Sequence, residues 1–362
     1  MHLPSTSTAL LFALLPLMGL VGASLCTAET LILPKVEVST RVPIKKVDDF
    51  RLLQARVAAA AAACGDYVYT VGGMGGLGGL LDTVERFDIR TGKSEVFAKL
   101  KQPRFYHRAV IADGKLYVMG GQGTGIATQV QATRDSFGNY EAPNAAFQND
   151  DRMGRFNLLN SVEIVDLATG KVSVSAPMTT AKSEFGCVVY DGKIFVIGGK
   201  RLYGNQTSRT NTVEIFDIRT GKWSEGSPMP TPRESDAVLV EGGFIVVAGG
   251  YDGRFEHTEV EAMNPRTGNW ARVAPLCHPV SSQSVVFSGH SLFLFGSYKA
   301  PGELIAYDLL TKQSEVFTLQ YRPARHTAAV MHQGRIYVIG GKEQPYSDPL
   351  DYIQVFMPME KR

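Results

Sequence analysis

Histidine, carboxylate and guanidinium side chains gather in six short segments, each placed just ahead of an apolar run: QPRFYHRA, TTAKSEFG, TPRESDAV, HPVSSQSV, RPARHTAA and LQARVAAA. Together they supply Arg104, Tyr106, His107, Arg108, Glu184, Arg233, Glu234, Asp236, Gln283, Arg325 and His326. Imidazoles such as those of His107 and His326 titrate near neutrality and could move protons, and Glu184, Glu234 and Asp236 could pair as general acid and base. Arginine forks beside aromatic rings would equally suit acidic peptides or carboxylated, hydroxylated sugars. The plainer alternative makes these charges solvated ion pairs between neighbouring repeats and each histidine a hydrogen-bonded structural residue. No nucleophile elbow, HExxH, Walker loop or dinucleotide fingerprint occurs in a supporting context. MGGLGGLLD from Met74 is rich in glycine but follows a strand pattern and leads into no helix, so it reads as a loop.

The elements that must position these residues are repeated strands. An apolar run ending in paired glycines recurs as VYTVGG, LYVMGG, IFVIGG, IVVAGG and IYVIGG, with LFLFGS as a degenerate copy, and its first glycines are Gly72, Gly120, Gly198, Gly249, Gly296 and Gly340. Their spacings are 48, 78, 51, 47 and 44 residues. A second phrase follows each pair: VERFDIRTGK, VEIVDLATGK, VEIFDIRTGK, VEAMNPRTGN, LIAYDLLTKQ and a degenerate IQVFM. Each unit therefore reads as a four-stranded antiparallel sheet. Asp113-Gly114 and Asp191-Gly192 suit the tight turn between first and second strands, where positive φ is required. The Thr-Gly steps at Gly92, Gly170, Gly221 and Gly268 suit the turn between third and fourth. The glycine pair lets neighbouring backbones approach closely, a structural role.

These residues resemble the kelch-repeat family from about the forties to the end of the chain. The resemblance implies an all-β, six-bladed kelch-type β-propeller, each blade a four-stranded antiparallel sheet around a central channel. The family's tryptophan after the third-strand turn survives as Trp223 and Trp270, and Gly296-Ser297 breaks the glycine pair. After Phe356 too few residues remain for another strand, so the last blade needs one from elsewhere. Val42 to Val47 is the expected closing strand, which would leave no open edge. The long second interval implies an insertion of about thirty residues within 122–160, and a loop of that length is expected to contribute to binding.

The resemblance also implies that the lead-in segments and the loops after the second strands open on one face. Those loops add Arg201, Tyr203, Tyr251, Asp252, Arg254, His257, Tyr298 and Tyr346. The expected ligand-binding face comprises Arg104, Tyr106, His107, Glu184, Arg209, Arg233, Glu234, Asp236, Tyr251, Arg254, Arg325 and His326. Kelch propellers include the sialic acid mutarotases (N-acetylneuraminate epimerases), and SRTNTVEIFD is similar to their arginine-bearing segment, which puts Arg209 at the functional arginine. That family's glutamate after the preceding glycines is replaced here by Lys200-Arg201, so the acid–base partner is missing. The iron-dependent specifier pattern E-x-x-x-D-x-x-x-H is absent.

Gross composition bounds the rest. Lys plus Arg number 37 against 35 acids, a net charge of +2, with no basic run able to release many counterions, which argues against a nucleic-acid partner. Residues 1–28 read as a secretory signal because Ala9 to Val21 is an apolar run of h-region length with small residues beyond it, too short to span a bilayer. Leu25 before Cys26 counts against lipoprotein anchoring. The remaining Cys64, Cys187 and Cys277 have no paired spacing, so neither disulfide nor metal is expected, and Cys64 and Cys187 read as buried free thiols. The expectation is an exported, monomeric, single-domain propeller at 29–362 without cofactor. It would bind a protein loop or glycan through the channel face; the alternative is a carbohydrate-active enzyme, mutarotase-like or a lyase.

Overall fold

Residues 43–124, 156–203, 206–235 and 237–359 are described in a computed structural model. The expected signal at 1–28, residues 125–155 of the expected insertion, and Asp236 lie outside them. Short β-branched and aromatic runs separated by turns give six four-stranded antiparallel sheets. Sheet 1 holds Ala60–Cys64, Tyr67–Val71, Thr83–Asp88 and Lys93–Lys99, and sheet 2 holds Arg108–Ala112, Lys115–Met119, Val162–Asp166 and Val172–Ser175. Sheet 3 is Gly186–Tyr190, Lys193–Ile197, Val213–Asp217 and Lys222–Gly226, and sheet 4 is Ala237–Glu241, Phe244–Ala248, Val260–Met263 and Trp270–Val273. Sheet 5 is Ser284–Ser288, Ser291–Phe295, Glu303–Asp308 and Gln313–Thr318. Sheet 6 is Ala328–His332, Arg335–Ile339 and Tyr352–Pro358, with Ile44–Arg51 as its outer strand. That outer strand begins inside the expected Val42 to Val47 segment, runs on to Arg51, and shifts register at Val47.

Second strands such as Lys115–Met119 and Lys193–Ile197 are buried along all but their first residue, whereas fourth strands such as Lys93–Lys99 are mostly exposed or half-buried. Burial on both faces follows from packing sheet against sheet. One hydrophobic cluster lies between each successive pair. Tyr69 and Val71 of sheet 1 meet Leu116 and Val118 of sheet 2, and further clusters join sheets 2–3, 3–4, 4–5 and 5–6. A sixth sets Tyr337 and Ile353 of sheet 6 against Val68 and Phe87 of sheet 1. Asp113 and Gly114 both have positive φ (48° and 68°), the turn that a two-residue hairpin needs to match strand twist.

The glycine pairs are explained by what lies against them. A Cβ on Gly198 would stand 2.7 Å from the carbonyl oxygen of Arg233 in the next sheet, and one on Gly199 would stand 2.8 Å from Phe185 in its own sheet. Bare backbone here permits two recurring bonds between sheets. In the first, the N–H of the second glycine donates to the next lead-in segment: Gly73 to Arg104 O, Gly121 to Lys182 O, Gly199 to Arg233 O, Gly250 to Val280 O and Gly341 to Arg56 O, all at 2.8–2.9 Å. The second links residues two before each first strand: Tyr106 N–H to Ala58 O, Glu184 to Tyr106, Ser235 to Glu184, Ser282 to Ser235 and Ala58 to His326, at 2.7–3.2 Å. All six of these linked residues adopt left-handed φ of 53–56° despite carrying side chains. Among the described residues neither bond has a counterpart between sheets 5 and 6, where Ser297 replaces the second glycine.

Four lead-in cations are consumed inside the fold. Arg56 pairs with Glu85, Arg104 with Glu163 at 2.7 Å, Lys182 with Glu214 at 2.6 Å and Arg233 with Glu261 at 2.8 Å, every partner essentially inaccessible to solvent. Each glutamate also anchors the chain entering its sheet; Glu163, for instance, accepts from the N–H groups of Lys101 and Gln102. Arg104 and Arg233 are thus corrected from ligand-binding to structural positions, because their guanidinium groups are fully buried against Glu163 and Glu261. Where sheets 5 and 6 carry Val280 and Ala324 instead of the cation, Ile305 and Gln354 stand instead of the acid. Cys64 is also corrected: it is exposed at a strand end, and Cys187 is half-buried.

Glu163→Ala, which strands the buried Arg104 charge, is expected to lower stability by about 3–5 kcal/mol in equilibrium denaturation; a loss below about 1 kcal/mol would contradict the structural role. Residue-resolved hydrogen exchange should find the His326 and Ser297 amides exchanging at least roughly tenfold faster than those of Glu184 and Gly199.

Candidate functional site

The lead-in segments and the loops after the second strands meet at one end of the sheets. Bridges Val57 to Met74, Phe105 to Gln122, Glu234 to Tyr251 and Arg325 to Lys342 join them. In sheet 3 this loop is a hairpin in which Lys200–Tyr203 pairs with Gln206–Arg209, and Lys182–Ser183 adds a third strand. Its register sets Lys200 opposite Arg209 and opposite Ser183. At the other long loop, Gln122–Gly123 pairs with Asn157–Leu158, which draws the two ends of the expected insertion together.

This hairpin organises a buried charge cluster. Lys200 Nζ donates to Glu184 Oε1 at 2.9 Å and lies 3.8 Å from Glu234 Oε2. Arg209 Nη2 donates to Glu234 Oε1 at 2.8 Å, with its guanidinium 5.2 Å from the Tyr251 ring centre. Ser235 Oγ donates to Glu184 Oε2 at 2.6 Å. Burial opposes ionisation of Glu184, but Lys200 and the Ser235 hydrogen bond outweigh it and hold the carboxyl below its usual range. Burial, and then the Glu184 carboxylate, push Glu234 up to about 7. Burial would lower Lys200, but the two glutamates raise it. Two carboxyls driven apart in this way resemble an acid–base pair. Here, however, both Glu184 oxygens are engaged, and Glu234 is held by Arg209 and Lys200.

His326 occupies the neighbouring part of the same end. Its ring makes edge contacts with Tyr106 at 5.2 Å and Tyr298 at 5.8 Å, and its Nε2 lies 3.4 Å from the Tyr106 hydroxyl. Burial, against the pull of Glu184, lowers it to about 4, so the imidazole is neutral at pH 7. Arg325 stacks over Tyr298 at 4.6 Å. Tyr106, Glu184, Arg209, Glu234, Tyr251, Arg325 and His326 are thereby brought together. Arg254 stands apart, its guanidinium over the Phe255 ring at 4.9 Å. His107 is corrected: it is fully buried under Gly72 and Gly121, burial holds it well below the ordinary histidine range, and no ligand can reach it. Ser235 was missed because nothing in its type marks it; its register position, shared with Tyr106 and Glu184, was the available signal. Among the described residues no group of three or more His, Cys, Asp or Glu is placed to hold a metal ion, and no helix is long and apolar enough to cross a membrane.

The repeated four-stranded sheets, their glycine-mediated contacts and the single loop-bearing end define a β-repeat protein of the propeller-forming kind. Residues 148–297 match the KLHDC2/KLHL20/DRC7 Kelch-repeats domain, and residues 55–101 match the Kelch motif. The chain belongs to the kelch-repeat family. It is similar to Kelch repeat and BTB domain-containing protein 12 of Danio rerio, 28% identical over 56% of this chain and 31% of that protein. It is likewise similar to Kelch-like protein 40 of Xenopus tropicalis, 36% identical over 24% of this chain and 14% of the relative. Alpha-scruin of Limulus polyphemus is 28% identical over 43% of this chain and 14% of its own length. The matched stretches cover less than a third of these relatives. The comparisons lend no support to the mutarotase resemblance, and Lys200, which replaces that family's glutamate, is the cation that ties Glu184 to Glu234.

A carboxyl raised to about 7 from 4.5 binds more protons folded than unfolded in that interval, so its contribution to stability is complete below pH 4.5 and declines as pH rises to 7. His326 acts in the opposite sense, since its lowered value makes stability rise with pH between about 4 and 6.5. Glu234→Gln removes only the first effect, so its stability relative to the parent should increase from pH 5 to pH 7, measured by urea denaturation. A pH-independent difference would contradict the raised carboxyl.

Proposed function

We propose that the six sheets are the blades of a closed six-bladed kelch propeller. In this reading Ile44–Arg51 closes the ring, and the chain is exported after loss of residues 1–28 and works as a monomeric binding module for a protein loop or glycan. The observation that carries the binding reading is the apolar character of the loops after the second strands. Leu77 (107% exposed), Phe255 (59%), Tyr298 (41%) and Tyr346 (84%) project from the loops of sheets 1, 4, 5 and 6. All lie at the end that bears the charge cluster. Exposed aromatic and aliphatic side chains around a polar centre are what protein recognition uses, and kelch repeats in general serve as protein-interaction modules. The apolar rim therefore favours a protein loop over a glycan, and the engaged state of Glu184 and Glu234 favours binding over carbohydrate chemistry.

The test is a peptide and glycan array probed with residues 29–362. Peptide binding is expected, weakened at least about tenfold by Phe255→Ser or Tyr346→Ser and unaffected by Val96→Ser on an outer strand. Glycan-only binding, or equal loss in all three variants, would overturn the protein-loop reading.

A further inference from the structure

Five lysine or arginine side chains are buried among the described residues: Arg56, Arg104, Lys182, Arg233 and Arg325. The first four each reach a glutamate inside the fold. Arg325, in the lead-in segment of sheet 6, has no carboxylate within ion-pair distance and no side-chain hydrogen bond among the described residues; its guanidinium lies over the Tyr298 ring at 4.6 Å. Removing a guanidinium from water is costly unless an anion pairs with it, and a stack on one ring returns only part of that cost. The surroundings deepen the imbalance. Lys342, bridged to Arg325 through the backbone, is a second cation whose Nζ donates to Pro345 O at 2.7 Å. Lys200 also approaches, so that around His326 three cations face the single carboxylate of Glu184, which is already bonded to Lys200 and Ser235. Two sheets earlier the same register position holds Glu234, and there Arg209 completes the pair. The Arg325 fork is open at one end: Nε is sealed from solvent without a partner, whereas the two Nη nitrogens, also without a hydrogen bond, still meet solvent. Tyr298, 41% exposed, borders the approach to them.

We propose that Arg325 is a carboxylate-binding site, in which an acidic group of the bound partner meets the guanidinium end-on, one oxygen on each Nη, with Tyr298 covering the guanidinium face and Lys342 adding positive field. This rests on the reading of this end as the binding face. A carboxylate matches the spacing of the fork and supplies the charge that the fold withholds. A neutral amide offers one acceptor and no charge, so it leaves the imbalance in place. The carboxylate belongs to an Asp or Glu side chain of the partner or to the end of its chain.

The test has a stability arm and a binding arm, both on the full chain. Arg325→Met removes an unpaired buried charge, so its urea midpoint is expected at or above the parent's, whereas Arg104→Met, which strands Glu163, lowers it. A lower midpoint in Arg325→Met would mean that the fold already pairs this guanidinium, and would overturn the proposal. For binding, the chain carrying 15N-histidine is titrated at pH 7 with N-acetylglutamate α-amide, which offers a side-chain carboxylate, and with N-acetylglycine, which offers a terminal one. The signal of the neighbouring His326 is the reporter, identified among the seven histidines by its loss in His326→Gln. A saturable shift is expected, and the tighter probe tells which source the site takes. N-acetylglutamine amide, the neutral counterpart, and the Arg325→Met variant should each weaken binding at least about tenfold. No saturable shift from either carboxylate up to the solubility limit, or an undiminished one in Arg325→Met, would overturn the site. If array peptides bind through Phe255 and Tyr346 with no dependence on Arg325, only the carboxylate site falls. If the small carboxylates bind through Arg325 and no array ligand does, only the wider reading falls.

Discussion

The fold depends on one close approach, the glycine pair of one sheet against the lead-in backbone of the next. A Cβ would stand inside van der Waals contact at these points, so the sheets could not draw near enough for the second glycine's N–H to reach the neighbouring carbonyl. With that approach secured, residues such as Tyr106, Glu184 and His326 are held with left-handed backbones and their side chains are delivered to a common end. Strain of this kind costs about 1 kcal/mol or more per residue and persists only where surroundings over-determine it. Here the chain of inter-sheet bonds supplies that constraint.

Beneath this layer, the buried cation–glutamate pairs fix where each lead-in segment turns into its sheet. Their desolvation is expensive, and an isolated partner would be more so. The joint replacement in sheets 5 and 6 fits that rule: Val280 accompanies Ile305, and Ala324 accompanies Gln354, whose side-chain amide bonds both the N–H and the C=O of Arg322. Neither replacement leaves the other member of the pair as a lone buried charge. The loops at the end that bears the charge cluster can therefore differ widely in sequence, because the anchoring is done below them.

Much of this architecture was legible because it is local. Glycine pairs, Asp-Gly turns and the VE phrase each demand a particular backbone or strand, and all could be read residue by residue. The lead-in arginines were equally visible, but their role was not, since Arg104 meets Glu163, 59 positions further along the chain, only once sheet 2 has formed. His107 looked like proton chemistry for the same reason: nothing adjacent in sequence announces that two glycines will cover it. The linked positions Ala58, Tyr106, Glu184, Ser235, Ser282 and His326 share a conformation and no residue type, which left them without a signal. Lys200 read as a missing acid and became the centre of the cluster once hairpin register set it beside Arg209.

The outer strand of sheet 6 has a temporal consequence. Ile44–Arg51 precedes sheets 1 to 5 in the chain and its partner Tyr352–Pro358 follows them, and Arg51 reaches across this span to Asp351. A nascent chain can assemble sheets 1 to 5 in order as they emerge, yet the strand that precedes them must wait, unpaired, until Tyr352–Pro358 has been made. Contacts of such sequence separation form slowly. Sheet 6 is therefore finished only after sheets 1 to 5 can already stand, and its completion waits on the emergence of Tyr352–Pro358.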